Sequence, residues 1–280
     1  MTESANTAPS PRKSDNIVAP PPSVSVIAAV HNGAAFLEAS IRSILDQSFT
    51  DFEFLIVDDG STDDSPALLD RFATEDTRIR VFHRENAGLT VSLGIALKEA
   101  RGVYIARQDD DDISLPDRLR RQKEFLDAHP SVAVIGCRYK TIDPSGKIVG
   151  HSNVPMGNAS IKRALLTHNV IAHSGAMFHR QKVLDIGGYD PQYRTAQDYD
   201  LWCRAALHHD LGNLKDVLLH RRRHGAQIGA TLSASQIQNR DRIKRAYRRA
   251  AAENRATCPL PLPVRLLAKM FVMLDLSSES

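Results

Sequence analysis

The chain has 280 residues, 42% hydrophobic and 25% charged, which is enough to bury one large core with room for a small appendage, so a single main domain is expected. No run of 18 consecutive apolar residues occurs, so no helix is expected to span a bilayer; the three cysteines, Cys137, Cys203 and Cys258, form no Cys-x-x-Cys pair and read as reduced thiols of a cytoplasmic protein. The net charge of +3 conceals an asymmetry: the segment from Arg221 to Met270 carries +10 and the remainder −7.

Residues 1–22 are rich in Ser, Pro, Ala and Asn, lack the apolar run of a signal peptide, and read as a disordered leader. Val24 to Val30 is an apolar strand; His31-Asn32-Gly33 turns it into a helix with Leu37, Ile41, Ile44 and Leu45 at helical spacing. A strand over Glu53 to Val57 completes a βαβ unit. Pro66 sits in the first turn of a helix over Ser65 to Thr74. Then come a strand over Ile79 to Phe82, a helix over Leu89 to Ala100 stopped at Gly102, and a strand over Val103 to Ala106. This alternation predicts an α/β fold, a doubly wound, mostly parallel sheet with right-handed crossovers and helices on both faces.

Beyond that point Pro116 starts a helix ending near His129, Val132 to Ile135 is a buried strand, and Asp143-Pro144-Ser145-Gly146 turns between two short strands. Ile161 to Leu166 reads as helix, Ala176 to Phe178 as extended, Gly187-Gly188 as a tight bend, and Asp198 to Leu207 as helix. A long basic helix is expected from Ser233 to Arg255, then three prolines and an apolar stretch, Leu266 to Leu276. The domain reading is a main domain over 23–230 and a basic helical extension over 231–280.

The acidic run Asp109-Asp110-Asp111-Asp112 lies where a strand should stop. Four adjacent carboxylates repel one another; a fixed turn that holds them points to a divalent cation, although such runs are often merely solvated turns. Oxygen ligands with a diphosphate suit Mg²⁺ or Mn²⁺, and no His and Cys cluster suggests zinc. Asp58-Asp59 ends another strand; one of the pair is expected to cap the following helix, the other to accept a hydrogen bond from a nucleobase or ribose. Asp198 and Asp200 at a helix start could be simple N-terminal carboxylates, His173 and His224 polar residues of core or surface, and Trp202 core packing.

Taken in order, these segments resemble the glycosyltransferase family 2 domain with its GT-A fold, over roughly residues 22 to 228. The resemblance is carried by Val24-Ser25-Val26-Ile27 with His31-Asn32, Val57-Asp58-Asp59-Gly60-Ser61-Thr62-Asp63, Glu85-Asn86-Ala87-Gly88, and Asp109-Asp110-Asp111-Asp112 with Pro116-Asp117-Arg118-Leu119. Gly187-Gly188-Tyr189-Asp190 and Gln197-Asp198-Tyr199-Asp200-Leu201-Trp202 complete it. It implies an inverting transfer of a sugar from a nucleoside diphosphate donor, UDP by default, to a saccharide or lipid-linked hydroxyl acceptor, with Mg²⁺ or Mn²⁺ as cofactor. Asp59, with Asp58, Ala29 and His31, would contact the nucleoside, Asp109 the ribose or metal shell, Asp111 the metal, and His224 the metal or diphosphate; Asp198 would be the base.

Three positions depart from the family pattern. Ala28-Ala29-Val30-His31 replaces a hydroxyl-bearing strand end, Gly94 stands where Asn is common, and Gln197 replaces a Glu beside Asp198. The last of these favours the runner-up, a silent homologue that binds sugar nucleotides without turnover. A receiver-type signalling module is disfavoured by the second acidic loop, and a nucleotidyltransferase by the lack of a Gly-rich first loop. The basic tail has two readings, a solvated helix packed on the domain or a peripheral anchor on the anionic inner face of the membrane. Nucleic acid is not expected, since Tyr247 and Phe271 are the only aromatic residues after Arg221.

Overall fold

The computed structural model of the protein describes residues 20–225, 234–253 and 260–277. The first half alternates as predicted: β1 (Val24–Val30), α1 (Ala34–Leu45), β2 (Phe52–Asp59), α2 (Ser65–Glu75), β3 (Ile79–Arg84), α3 (Leu89–Glu99) and β4 (Tyr104–Arg107). β5 (Ile113–Ser114), α4 (Arg118–Ala128), β6 (Val132–Ile142), β7 (Ile148–His151), α5 (Asn158–Ala164), a 3₁₀ turn (His173–Gly175) and β8 (Met177–His179) come next. The chain then forms α6 (Arg180–Asp185), α7 (Gln197–His208), β9 (Asp210–Arg222), α8 (Ala234–Ala252) and α9 (Leu262–Ser277).

One mixed sheet runs in the order β3-β2-β1-β4-β8-β6-β9-β5, with β7 paired to β6. β1, β2, β3 and β4 are parallel, β8 runs antiparallel between β4 and β6, and β6 and β9 form a long parallel ladder. The chain winds from β1 outward to β3 and returns to β4 on the other side of β1, so the strand order switches between β1 and β4. That is where an open α/β sheet binds its ligand.

Both faces of the sheet are covered, which is why β1 and β2 are buried along their whole length. Leu37, Ile41 and Ile44 of α1, Leu69 and Phe72 of α2 and Leu119 and Leu126 of α4 fill one side. The other side is filled by Leu93, Ala96 and Leu97 of α3, Ile161 of α5, and Tyr199, Leu201, Trp202, Ala205 and Ala206 of α7. Ile243, Tyr247, Ala251, Val264 and Ala268 belong to this second cluster, so α8 and α9 share the main core. Trp202 is core packing as read from sequence: it is wholly buried and its indole N–H donates to the Ile171 carbonyl at 3.2 Å.

Several expectations are corrected here. β2 extends through Asp58 and Asp59, and β6 runs to Ile142 where a short strand had been expected. β9 was not delineated from sequence: its Lys215 and Asp216 break the apolar run and are skipped in the ladder, where Cys137 pairs with Leu214 and Arg138 with Val217. The expected leader lies, up to residue 19, outside the described residues, as do both ends of the expected basic helix, Cys258 and the boundary at 230.

Candidate active site

The turn after β1 is stitched to the turn after β2. Asn32 sits at φ 56°, and its side-chain carbonyl accepts from the Thr62 N–H at 2.8 Å while its own N–H donates to Ser61 Oγ at 3.0 Å. The Gly33 and Ala34 amides, unpaired by any helix, donate to Ser65 Oγ and Asp63 Oδ2, both at 3.0 Å. His31 is exposed, with Nδ1 3.1 Å from both the Asp59 carbonyl and the Asn86 side chain. Ala29 is buried in the core beneath α3 and offers only its methyl group.

Because Asp58 and Asp59 are consecutive strand residues, their side chains point to opposite faces. Asp58 accepts from the Ser61 N–H at 3.0 Å and from His83 Nδ1 at 2.8 Å, and His83 Nε2 reaches Asp70 at 3.0 Å. Burial opposes the charged form of Asp58, but the bonds from His83 and Ser61 outweigh it and hold the carboxyl below its usual range. Asp59 accepts from the Ala87 and Gly88 amides, each at 2.9 Å, and from Ser92 Oγ at 2.8 Å. The expectation that one of the pair caps the next helix is therefore corrected. At α2 the Ser65 amide donates to Asp63 Oδ1 at 2.9 Å, and Asp59 braces the start of α3.

The acidic turn after β4 is held from every side. Ser40 Oγ of α1 donates to the Asp109 carbonyl at 2.7 Å, and the wholly buried Gln108 donates to the Asp112 carbonyl at 2.8 Å. Arg118, also wholly buried, donates to the Arg107 and Ser174 carbonyls at 3.1 and 3.2 Å. From β9, the Arg222 amide donates to Asp112 Oδ1 at 2.7 Å and its Nε to the Asp111 carbonyl at 2.9 Å, with the guanidinium 4.5 Å above the Phe36 ring.

Within the turn the four carboxylates differ. Ligand atoms of Asp109, Asp111 and Asp112 lie within 4.8 Å of one another, a hard-oxygen set of the size a divalent cation takes. Asp112 spends one oxygen on the Arg222 amide and the other on the Ser174 hydroxyl, which makes it the brace of the turn. Asp111 Oδ2 lies 2.9 Å from His224 Nε2, so these two predicted residues are brought together. Burial opposes ionisation of Asp109, yet Arg107, whose Nη2 donates to it at 2.5 Å, holds it below the usual range. Asp110 is pushed up to about 7, by burial and then by the charges of Asp111 and Asp109.

Asp198 stands at the first turn of α7, after Ala196 at φ 60°. Asn169 Nδ2 donates to its Oδ2 at 2.7 Å, and its Oδ1 takes the Tyr199 amide at 2.8 Å. Burial raises its pKa, with the charge of Asp109 adding, so the base candidate faces the acidic turn electrostatically. His173 feels the charges of Arg107 and Asp109; its Nε2 is 2.8 Å from the Tyr189 hydroxyl and its ring is edge-on to Trp202, and burial, then Arg107, push its pKa down to about 3, which favours the neutral imidazole. Asp200 serves the bend instead. It holds Arg204 through Nε at 2.8 Å, and Arg204 donates to the Ile186 and Gly188 carbonyls, each at 2.7 Å, fixing the Gly187-Gly188 bend.

A model of the family described as Glycosyl transferase family 2 matches residues 25–187, more than half of the chain. The chain belongs to glycosyltransferase family 2. It is 32% identical over 182 residues to the O-antigen biosynthesis glycosyltransferase WbnJ of Escherichia coli, covering 65% of this chain and 70% of that one. Among solved structures it is similar to S. aureus TarS 1-349 in complex with UDP-GlcNAc, with a TM-score of 0.69 at 18% identity over 89% of this chain and 70% of that one. It is also similar to the mannosyltransferase PcManGT from Pyrobaculum calidifontis in complex with GDP-Man and Mn²⁺, with a TM-score of 0.62 at 20% identity over 92% and 72%. The protein is thus a glycosyltransferase of GT-A fold. The residues missed from sequence are the supports of this candidate site: Arg107, Gln108, Asn169, Ser174 and Arg222; Arg118 was read only as part of the Pro116-Asp117-Arg118-Leu119 motif, with no role. A charged Arg107 closing an apolar strand was a visible signal; Asn169 gave none.

Proposed function

We propose that this family 2 enzyme transfers a sugar, with inversion, from a UDP-sugar to a hydroxyl of a saccharide or lipid-linked acceptor in polysaccharide assembly. The observation that carries the reading is the acidic set Asp109, Asp111 and Asp112 beyond β4, with the charge of Asp109 felt both by Asp198 and by the Tyr189 hydroxyl that bonds the half-buried His173. Asp59 has three of its roughly four acceptor positions filled by the Ala87 and Gly88 amides and by Ser92 of α3, and the remaining one suits the imide proton of uracil. His31 would border the base from the exposed side. Asp111, with Asp109 and His224, would hold Mg²⁺ or Mn²⁺, which when bound neutralises charge on the diphosphate leaving group. Asp198, ionised and oriented by Asn169, would take the acceptor proton as the new bond forms.

The relatives' names support polysaccharide assembly. Single displacement is supported by Asp200, the other carboxylate in the first turn of α7, which is taken up by Arg204 and so leaves Asp198 to act alone on that side. The test is donor binding and product stereochemistry with Mn²⁺. Asp111→Asn should weaken Mn²⁺-dependent UDP binding at least tenfold and abolish transfer with the fold intact. A product of retained anomeric configuration, or full activity of this variant in excess chelator, would overturn the reading.

A further inference from the structure

The transfer reaction leaves α9 without a role. Its inner side is conventional: Val264 and Ala268 are buried in the shared core, and Phe271 lies 4.1 Å under the guanidinium of Arg248, which also pairs with Asp275 at 3.1 Å. The outer side is not. Leu262, Leu266, Met270 and Met273 follow one another at helical spacing and are 65, 58, 43 and 65% exposed. A surface helix normally presents charged or polar residues there, and a continuous apolar stripe marks an interaction surface. The stripe spans twelve residues, about 16 Å of helix axis from Leu262 to Met273.

The charge around the stripe indicates what covers it. Lys269 is exposed beside it on α9, and α8, packed against α9 on the same face of the sheet, turns Ile243, Tyr247 and Ala251 inward and leaves Arg242, Arg245 and Arg249 exposed. The segment from Arg221 to Met270 carries +10. Two copies meeting stripe to stripe would bring these like charges together, whereas an anionic bilayer offers both apolar depth and opposite charge. We propose that the outer stripe of α9 seats the enzyme on an anionic lipid bilayer, with the helix lying in the interface plane and Arg245, Arg249 and Lys269 meeting lipid phosphates. Among the described residues no helix is long and apolar enough to cross a membrane, so the attachment is one of lying on the surface. α9 also packs on α5, and the chain leaving α5 carries Asn169, which holds Asp198, so the stripe and the acceptor side belong to one helical layer.

The inference stands independently of the proposed reaction, and its test reads lipid binding without turnover. Full-length protein is co-sedimented with vesicles of phosphatidylcholine, with and without phosphatidylglycerol, at low and high salt; Mn²⁺-dependent UDP binding and thermal melting of each variant serve as controls. Wild type should sediment with the anionic vesicles and far less with the neutral ones. Leu266→Glu combined with Met273→Glu should lower partitioning at least tenfold, with melting and UDP binding unchanged. Arg245→Glu combined with Arg249→Glu should lower it only on anionic vesicles, since each cationic side chain near such a surface contributes a factor of about five. Failure of wild type to sediment, or indifference of sedimentation to both double variants, overturns the proposal. So does a wild-type dimer in sedimentation velocity without lipid that the Leu266→Glu, Met273→Glu variant dissolves, since a second copy would then own the stripe.

Discussion

Asp198 is where one side chain decides between binding and turnover. Burial and the Asp109 charge raise its pKa, and Asn169 supplies a hydrogen bond that favours the ionised form. Asp198→Asn should leave donor and Mn²⁺ binding within about twofold of wild type while kcat falls by roughly 10²–10⁴, the usual reach of general base catalysis. Since the base works ionised, kcat/KM should rise with pH through a limb lying above the ordinary aspartate value of 3.8. Asn169→Ala should move that limb to higher pH, because it removes a donor to the charged form only. Rate profiles of wild type and variant across pH 4 to 8 check both statements; coincident limbs would reduce Asn169 to loop packing.

Among the elements, the loops of the nucleotide half are coupled by backbone approach as much as by side chains. Gly60, just after β2, lies at φ +74°, and a Cβ there would sit 2.7 Å from the Asn86 amide nitrogen. Left-handed backbone alone costs a non-glycine residue about 1–2 kcal/mol, and the clash must move the segment whose Ala87 and Gly88 amides bond Asp59. Gly60→Ala should therefore destabilise the fold by at least about 2 kcal/mol in urea titration and weaken UDP binding as well. Gly146→Ala is the control, at φ +89° in an exposed turn with nothing within 4 Å: it should carry the backbone cost and leave UDP binding alone.

On the scale of the whole molecule, stability should depend on pH through the Asp58–His83–Asp70 chain at the sheet edge. Hydrogen bonds to Asp58 and Asp70 raise the pKa of His83 above 6.5, so its contribution is complete below 6.5 and is lost as pH rises through the higher folded value. Asp58 is lowered below 3.8; its contribution is present above 3.8 and is lost as pH falls through the lower folded value. The pair stabilises most between these limits. Thermal melts of wild type and His83→Gln should accordingly differ more at pH 5.5 than at pH 8.5. An equal difference at both would mean that the charge on His83 contributes nothing.

Much of this molecule was open to reading in one dimension. The first four strands and three helices follow from apolar runs punctuated by Gly, Pro and Asp, and the acidic turn and Asp198 stood out because carboxylates were grouped at predicted element ends. Those features depend on neighbours in sequence, where local periodicity and turn chemistry act. What tertiary structure decided depends on partners about 30 to more than 100 positions away: Arg222 with Asp112, Ser174 with Asp112, Asn169 with Asp198, His224 with Asp111. It also decided β9, whose polar interruptions hide a strand that only pairing with β6 makes continuous. The side chains of Asp58 and Asp59 were legible as a pair but not as two roles, because one residue more or less of β2 sets which face each carboxylate meets. The tail was legible as basic and apolar, while which side of α9 is apolar and left outside was settled by the core that takes Val264 and Ala268 and leaves Leu266 and Met273 to solvent.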